Sequence, residues 1–171
     1  MREIEVKFKV NDFSRIRAAL RKLGASLIWK GMEENIFFDT KSRNLYKKGI
    51  LFRLRQWNNH GVLLTVKTPP KKKSNHYKIK NEYEIEVHDF DAARHMIHAL
   101  GFAEDSSYKK FREHWKIKNA FVELDSVGNM KFIEIEASQN DITRLARVFG
   151  LSWKQVERRG YIKILKDMRK R

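Results

Sequence analysis

The first ten residues, MREIEVKFKV, alternate between charged and apolar side chains. Charged residues occupy positions 3, 5, 7 and 9, and apolar residues occupy positions 4, 6, 8 and 10. Successive side chains of a β-strand point to opposite faces, so this pattern predicts a strand with four charges on one face. That face carries two carboxylates followed by two ammonium groups.

Alternating or apolar runs recur along the rest of the chain. They predict further strands at about 27–39, 50–57, 61–68, 78–88, 104–117, 119–127 and 130–137. The Asn and Gly residues at 58–61 and 127–131 are typical of hairpin turns. The segment 68–76 holds both prolines and three consecutive lysines, which predicts a loop.

Three of the strands lead into an amphipathic helix. Each contains two glutamates two residues apart, the first of them Glu3, Glu84 or Glu134, and each following helix reaches a glycine that fits a C-terminal cap. The first helix is expected to bury Phe13, Ile16, Leu20 and Leu23. The segment YIKILKDMRKR predicts a further short helix. Eight strands and three or four helices in 171 residues indicate one domain, 1–171, of α+β class and mainly β.

Pairs of charged or polar residues at i,i+2 spacing recur on the predicted strands. They are Arg53 and Arg55; Thr65 and Lys67; Lys78, Lys80, Glu82, Glu84 and Glu86; Lys110, Arg112 and His114; Glu123 and Asp125; and Glu134 and Glu136. For a single strand, a solvated outer face is the ordinary explanation. Their repetition favours a charged interior, with helices covering the apolar faces from outside. Eight strands are enough to close a barrel around a lumen.

The composition is strongly basic. Lys and Arg total 37 against 21 Asp and Glu, which gives a net charge of +16. Such a charge attracts polyanions: nucleic acid, an anionic membrane or a phosphate-rich small molecule. The absence of cysteine excludes disulfides and thiolate metal sites and fits a cytoplasmic protein. No signal-peptide core is present at the N-terminus, and the aliphatic runs are too short to cross a bilayer, so we expect no membrane partner.

A lumen that contains so many charges must be hydrated, internally paired or filled by a ligand of matching charge. Clusters of carboxylate oxygens suit Mg²⁺ or Mn²⁺. Arginine forks and lysine ammonium groups bind phosphate oxygens. Together they indicate a polyphosphate bound with a divalent metal, although the chain has no glycine-rich phosphate loop of the GxxxxGK type.

The motif EIEVK, with Glu3, Glu5 and Lys7, resembles the ExExK signature of CYTH proteins, the triphosphate tunnel metalloenzymes. This family includes class IV adenylyl cyclases, thiamine triphosphatase and inorganic triphosphatases. Later segments resemble the family in the same order: NIFFDTKSRNLYKKGILFRLR, LTVK, KNEYE, KKFRE, ELDSV, FIEIE and VERRGYIKIL. The ordered series covers essentially the whole chain, and it is far more specific than ExExK alone.

The resemblance implies a closed eight-stranded antiparallel tunnel barrel with flanking helices and a role for each charged row. The implied metal ligands, for Mg²⁺ or Mn²⁺, are Glu3, Glu5, Asp125, Glu134 and Glu136. The implied substrate-binding residues are Lys7, Arg53, Arg55, Lys67, Lys80, Lys110 and Arg112, with Lys80 at a position where the family often has Arg. Glu5 and Lys7 would act in catalysis, and Glu82 and Glu84 would balance charge or hold a second metal.

These features favour a metal-dependent enzyme that hydrolyses a small-molecule triphosphate. The first alternative is a class IV adenylyl cyclase, which converts ATP into cyclic AMP and pyrophosphate. A non-catalytic polyphosphate-binding protein is a second alternative. Nucleic-acid binding is disfavoured, because a surface that follows phosphates avoids paired glutamates. The sequence leaves the oligomeric state open, with a homodimer as one option. We interpret the four tryptophans as packing residues and His114 as a hydrogen-bonding residue.

Overall fold

Eight strands form the framework of this protein. The computed structural model describes residues 2–58, 61–70 and 77–168, so most of the predicted 68–76 loop and part of the 58–61 turn lie outside the described residues. The strands are β1 (Arg2–Val10), β2 (Ser26–Asp39), β3 (Leu51–Trp57), β4 (Gly61–Thr68), β5 (Lys78–Glu86), β6 (Ala103–Ile117), β7 (Ala120–Val127) and β8 (Met130–Glu136). The helices are α1 (Ser14–Lys22), α2 (Asn44–Lys47), α3 (Phe90–Ala99), α4 (Gln139–Phe149) and α5 (Tyr161–Met168), with a 3₁₀ turn at Trp153–Gln155.

The strands close into a barrel in the order β1-β5-β4-β3-β2-β6-β7-β8. Every neighbouring pair is antiparallel, and β8 returns to pair with β1, so that Glu136 lies opposite Glu5. The predicted eight-stranded antiparallel barrel with flanking helices is confirmed. The observed strand bounds also agree with the predicted ones to within two residues.

The apolar core lies between the outside of the barrel and the helices. Phe8 of β1 shares a buried cluster with Leu20 of α1 and Leu145 of α4. Ile97 of α3 covers Leu54 of β3 in a second cluster on another part of the wall. Because the helices use the apolar face of each strand, the alternate face with its charged rows is left to line the lumen.

The antiparallel order gives the barrel two distinct ends. At the first end lie the N-termini of β1, β2, β4 and β7 and the C-termini of β3, β5, β6 and β8. The opposite terminus of each strand lies at the second end. Helix α5 lies at the second end, where Tyr161 and Ile164 share a buried cluster with Val127 and Phe132. This helix therefore covers part of one opening of the lumen.

Two local features differ from the sequence analysis. Helix α2 was not predicted, and it is stabilised by Asp39, whose carboxylate accepts hydrogen bonds from the backbone N–H groups of Leu45 at 2.9 Å and Tyr46 at 2.8 Å. Leu23, which was expected to be buried, follows the last residue of α1 and is 37% exposed. Within the described residues, no helix combines the length and the apolar character needed to span a membrane.

Candidate active site

The inward faces of the strands enclose a cavity of about 1530 Å³. Of the fourteen site residues predicted from the sequence, thirteen line it. They are Glu3, Glu5, Lys7, Arg53, Arg55, Lys67, Lys80, Glu82, Glu84, Lys110, Arg112, Glu134 and Glu136. The fourteenth, Asp125, is completely buried and does not line the cavity. The structure thus brings the charged rows together, while the roles of the individual residues stay predictions.

Arg112 is held by a cage of carboxylates. Its guanidinium donates to both oxygens of Asp125, at 2.7 and 2.6 Å, and to Glu134 at 2.8 Å. Glu123 lies 3.4 Å away. Burial by itself would lower the pKa of Arg112, but these carboxylates outweigh it and raise that pKa well above its usual value. Arg112 is therefore a fixed positive charge whose Nε and Nη2 groups already donate to carboxylates.

Asp125 connects this cage to helix α5. It accepts a hydrogen bond from Lys110 at 3.0 Å and another from the Tyr161 hydroxyl at 2.7 Å. Burial, followed by the charge of Asp125, raises the pKa of Tyr161 well above its ordinary value, so the hydroxyl keeps its proton and acts as a donor. In this arrangement Asp125 anchors two cations and one helix.

Glu33 of β2 is the buried counterion of three cations, and the sequence analysis did not identify it. Its side chain is fully buried and lies 3.2 Å from Lys110, 3.6 Å from Arg55 and 3.9 Å from Arg112. Burial would raise the pKa of Glu33, but Lys110, Arg112 and Arg55 keep it well below its usual value. Glu33 lies in the run Glu33-Glu34-Asn35, where three adjacent polar residues hide the alternation that marked the other rows.

Arg53 and Arg55 form an incompletely paired cationic surface of the lumen. Glu84 contacts Arg55 at 2.9 Å and Arg53 at 3.5 Å, and it also accepts a hydrogen bond from Thr65 at 2.6 Å. The Nε atoms of both arginines are buried without a hydrogen-bond acceptor. A buried donor without an acceptor is costly, so both guanidinium groups have capacity for a further anionic ligand.

Glu3, Glu5 and Glu136 form an acidic cluster, on adjacent strands β1 and β8. Burial, together with the charge of Glu5, raises the pKa of Glu3 to about 8. Burial, Glu123 and Glu5 raise the pKa of Glu136 to about 7. In contrast, Lys78 and Lys67 outweigh the burial of Glu5 and keep its pKa low. Two of the three carboxylates therefore lack enough positive charge around them.

The acidic cluster has the donor chemistry that a hard divalent cation requires. The atoms that it offers to a cation are all carboxylate oxygens, which Mg²⁺ prefers. One of them, Glu3 Oε2, is buried and accepts no hydrogen bond. Lysines hold parts of this cluster: Lys67 donates to Glu3 at 2.6 Å, and Lys78 pairs with Glu5. Among the described residues, no three acidic or histidine side chains are drawn together as a ready-made metal site. A cation would therefore replace lysine contacts rather than enter a preformed cage.

Lys7 lies between Glu134 and Tyr161. Its Nζ is 3.6 Å from Glu134 and 4.0 Å from the centre of the Tyr161 ring. Burial lowers the pKa of Lys7 below its ordinary value, and the charge of Glu134 offsets only part of that effect. This ammonium group loses its proton more readily than a surface lysine does.

The sequence analysis missed Lys78 and Tyr161 as site residues. Lys78 belongs to a charged row that was recognised, but its contact with Glu5 depends on strands far apart in sequence. Tyr161 comes from a helix, where strand alternation gives no signal. Trp115 is buried in the core, and Trp153 contacts Phe8 although it is 44% exposed. Trp29 and Trp57 stack on each other and line the cavity.

Comparisons with known proteins agree with this architecture. A family profile described as CYTH domain matches residues 1–169. A curated protein of Methanocaldococcus jannaschii, named "Putative adenylate cyclase", is 30% identical over 149 residues, which are 86% of this chain and 83% of that protein.

Solved structures give the same result. A protein from Pyrococcus horikoshii is 30% identical, with a TM-score of 0.77 over 94% of this chain and 98% of that chain. A structure from Vibrio parahaemolyticus, described as a "putative adenylate cyclase", is 22% identical, with a TM-score of 0.83 over 96% of this chain and 97% of that chain. The second likeness concerns the fold alone.

Proposed function

This chain belongs to the CYTH domain family, and from that premise we propose that it is a metal-dependent enzyme that hydrolyses a triphosphate in its barrel lumen. The substrate class comprises inorganic, nucleoside and thiamine triphosphates. The lumen has charges of both signs, and the proposal rests on how incompletely they neutralise each other.

One observation carries the proposal: the lumen contains arginines with an unused hydrogen-bond donor and carboxylates whose negative charge is incompletely neutralised. Arg53 and Arg55 each keep a buried N–H without an acceptor. The pKa values of Glu3 and Glu136 are raised to about 8 and about 7 because burial and neighbouring carboxylates disfavour their charge. A complex of a divalent metal with a triphosphate supplies both missing charges in one ligand.

Glu3, Glu5 and Glu136 would hold the metal, with Glu134 at the edge of the same group. Bound there, Mg²⁺ or Mn²⁺ would neutralise charge on the phosphate oxygens during phosphoryl transfer. Asp125 has a different role in this proposal from the metal ligation inferred from the sequence, because its oxygens are occupied by Lys110, Arg112 and Tyr161. It holds those cations in place.

The cations divide into two groups. Phosphate oxygens are bound by Lys7, Arg53, Arg55, Lys67 and Lys80. Lys110 and Arg112, already paired with Asp125, contribute fixed positive charge to the same lumen. Glu82 and Glu84 balance that charge: Glu82 lies 3.0 Å from Lys67, and Glu84 lies 2.9 Å from Arg55.

In the hydrolytic step, the oxygen of a water molecule bonds to the terminal phosphorus, and the bond from that phosphorus to the bridging oxygen breaks. The proton released by the water passes to a phosphate oxygen of the products, while Lys7 stays an ammonium group and binds the phosphate chain. Glu5 acts from the same face of β1, two residues away, and keeps the acidic cluster next to that lysine. Orthophosphate and the shortened phosphate chain are the products.

Cyclisation of ATP to cyclic AMP and pyrophosphate is the second candidate. In that reaction the ribose 3′-hydroxyl attacks the α-phosphorus, and pyrophosphate leaves. The observation that favours it is the aromatic lining near the first end of the lumen, where Trp29, Trp57 and Phe121 face the cavity. The metal and phosphate contacts are common to both reactions.

One assay panel tests the proposal. ATP, thiamine triphosphate and tripolyphosphate are incubated with Mg²⁺, Mn²⁺ or chelator, and phosphate, pyrophosphate and cyclic AMP are measured separately. We expect metal-dependent release of phosphate that is lost in chelator and strongly reduced by Glu136→Gln. The control Glu86→Gln changes an exposed glutamate that does not line the cavity. Cyclic AMP with pyrophosphate would establish the second candidate, and full turnover in chelator would rule out both.

A further inference from the structure

Four aromatic rings form a continuous row in the cavity wall near the first end of the barrel. Trp57 stacks on Trp29 with ring centroids 5.8 Å apart, and Trp29 stacks on His114 at 6.0 Å. His114 stacks on Phe121 at 4.9 Å. The interplanar angles of these three pairs are 24°, 26° and 19°. The four rings, here called the aromatic row, are thus nearly parallel from one neighbour to the next.

The aromatic row does not belong to the apolar core. None of its members occurs in the three buried apolar clusters of the described residues, and all four line the cavity. Each of the four is only partly buried. By contrast, Trp115 is 5% exposed and belongs to the core. The row therefore keeps ring surface available to a molecule in the lumen.

The surrounding structure holds these rings in place. A Cβ at Gly61 would lie 2.0 Å from the Trp57 ring, so this indole lies directly against the backbone of β4 and tolerates no side chain there. The Nδ1 atom of His114 is 2.9 Å from Glu123, which fixes the imidazole between Trp29 and Phe121. A rigid aromatic surface loses little conformational entropy when a ligand stacks on it.

The aromatic row adjoins both charged parts of the lumen. Trp57 follows Arg55 by two residues on the same face of β3, which is about 7 Å along the strand. Phe121 lies directly opposite Glu136 in the pairing of β7 with β8. A triphosphate bound by the arginines and the acidic cluster would therefore place its organic substituent next to these rings.

We infer that the aromatic row is a subsite for the flat ring of an organic triphosphate, so that the protein prefers ring-bearing triphosphates to inorganic tripolyphosphate. This inference rests on the proposed function, since it needs the phosphates in the lumen. Stacking uses the π-face that every nucleobase has. The subsite therefore selects for a ring and discriminates little between purine and pyrimidine.

The test compares two ligands on matched variants. Calorimetry measures the Kd of ATP and of tripolyphosphate, each with Mg²⁺, for the wild type, Trp57→Leu and Phe121→Leu. We expect wild type to bind ATP more tightly. Because Trp57 and Phe121 lie at opposite ends of the row, we expect the variant that removes the ring on which the base stacks to raise the Kd of ATP about tenfold, as loss of one stacking contact does. The Kd of tripolyphosphate should stay within about twofold. Trp153→Leu is the control, because Trp153 packs on Phe8 and Tyr77 rather than lining the cavity.

The outcomes separate this inference from the proposed function. An equal loss for both ligands, or an unchanged Kd for ATP in both variants, overturns the aromatic subsite. Tight binding of tripolyphosphate with no tighter binding of ATP by wild type overturns the subsite and leaves the proposed function intact. Failure of wild type to bind either ligand overturns both. Circular dichroism identifies a misfolded variant, and the second variant then decides.

Discussion

At the scale of single residues, the proposed ligand binding depends most directly on the incomplete pairing of Arg53 and Arg55. Their buried Nε atoms lack acceptors, while their terminal nitrogens contact Glu84. A phosphate oxygen would satisfy such a donor with a charged hydrogen bond. The sequence predicted this pair from i,i+2 spacing, but it could not predict that Glu84 would leave part of each guanidinium unused.

We predict that Arg53→Ala and Arg55→Ala each weaken triphosphate binding by about 1.5–3 kcal/mol, the usual range for a hydrogen bond to a charged group. Lysine at either position should restore only part of the loss, because an ammonium group cannot form a planar fork. Calorimetry with Mg²⁺ measures the change. Arg144→Ala is the control, since Arg144 pairs with Asp141 on the exposed face of α4. Affinity equal to wild type in both alanine variants would remove these arginines from the site.

Glu3 gives a prediction about pH. Its pKa rises from 4.5 to about 8 on folding because of burial and the charge of Glu5. Between these two pH values the folded protein holds more protons than the unfolded chain, so the contribution of Glu3 to stability is lost as pH rises through that window. In chelator, the thermal midpoint of wild type should therefore fall more steeply from pH 5 to pH 8 than that of Glu3→Gln. An equal change of the thermal midpoint with pH in wild type and in Glu3→Gln would contradict the raised pKa of Glu3. Glu86→Gln, which changes an exposed glutamate, is the control.

At the scale of secondary-structure elements, alternation was a strong guide to the strands. In β1 the apolar residues pack against the helices and Glu3, Glu5 and Lys7 line the lumen, as the first ten residues predicted, whereas Lys9 at the end of the strand is exposed and does not line it. The pattern could not predict which strands lie side by side, because β1 pairs with β5 and β8 across long sequence separations. Consequently Lys78 became a partner of Glu5 without any local signal.

Short helices and strand ends were harder to predict. Helix α2 has only four residues, and its stability comes from the Asp39 carboxylate rather than from an apolar periodicity. In the sequence, Trp29 and Trp57 cannot be distinguished from tryptophans of the core. They line a cavity only because the strands close into a barrel. These features depend on tertiary contacts, which an amphipathic pattern does not encode.

Helix α5 leads to a prediction about stability. Tyr161 donates a 2.7 Å hydrogen bond to fully buried Asp125. Tyr161→Phe leaves that carboxylate one donor short, and we expect the free energy of unfolding to fall by about 1–3 kcal/mol. Urea unfolding measures it, and Tyr46→Phe, at a residue that is 67% exposed, is the matched control. Stability equal to that of wild type would show that the contact does not anchor the helix.

At the scale of the whole molecule, the barrel has its apolar side outwards under the helices and its charged side inwards. The sequence predicted this inversion because three amphipathic helices needed apolar strand faces to cover. It could not predict how the interior charges share partners, which depends on rotamers and on distant strands. The lumen contains paired groups, such as Arg112 with Asp125, beside groups that keep one buried atom unsatisfied, such as Glu3 at Oε2 and Arg53 at Nε. The unsatisfied groups define where a metal–triphosphate complex would bind.

The central claim is that β1 presents a metal-binding end, Glu3 and Glu5, and a phosphate-binding end, Lys7, to one metal–triphosphate complex. Glu5→Gln removes a charge that repels a free polyphosphate, whereas Lys7→Met removes a charge that attracts it. The two substitutions should therefore have opposite effects on binding when metal is absent.

The most direct test is calorimetry of tripolyphosphate with wild type, Glu5→Gln and Lys7→Met, each measured with Mg²⁺ and with chelator. We predict that Glu5→Gln loses the enhancement by Mg²⁺ but binds metal-free tripolyphosphate as tightly as wild type or more tightly. Lys7→Met should bind more weakly in both conditions. If Glu5→Gln instead weakened metal-free binding as much as Lys7→Met does, the two residues would not have these separate roles, and the account of the lumen would be wrong.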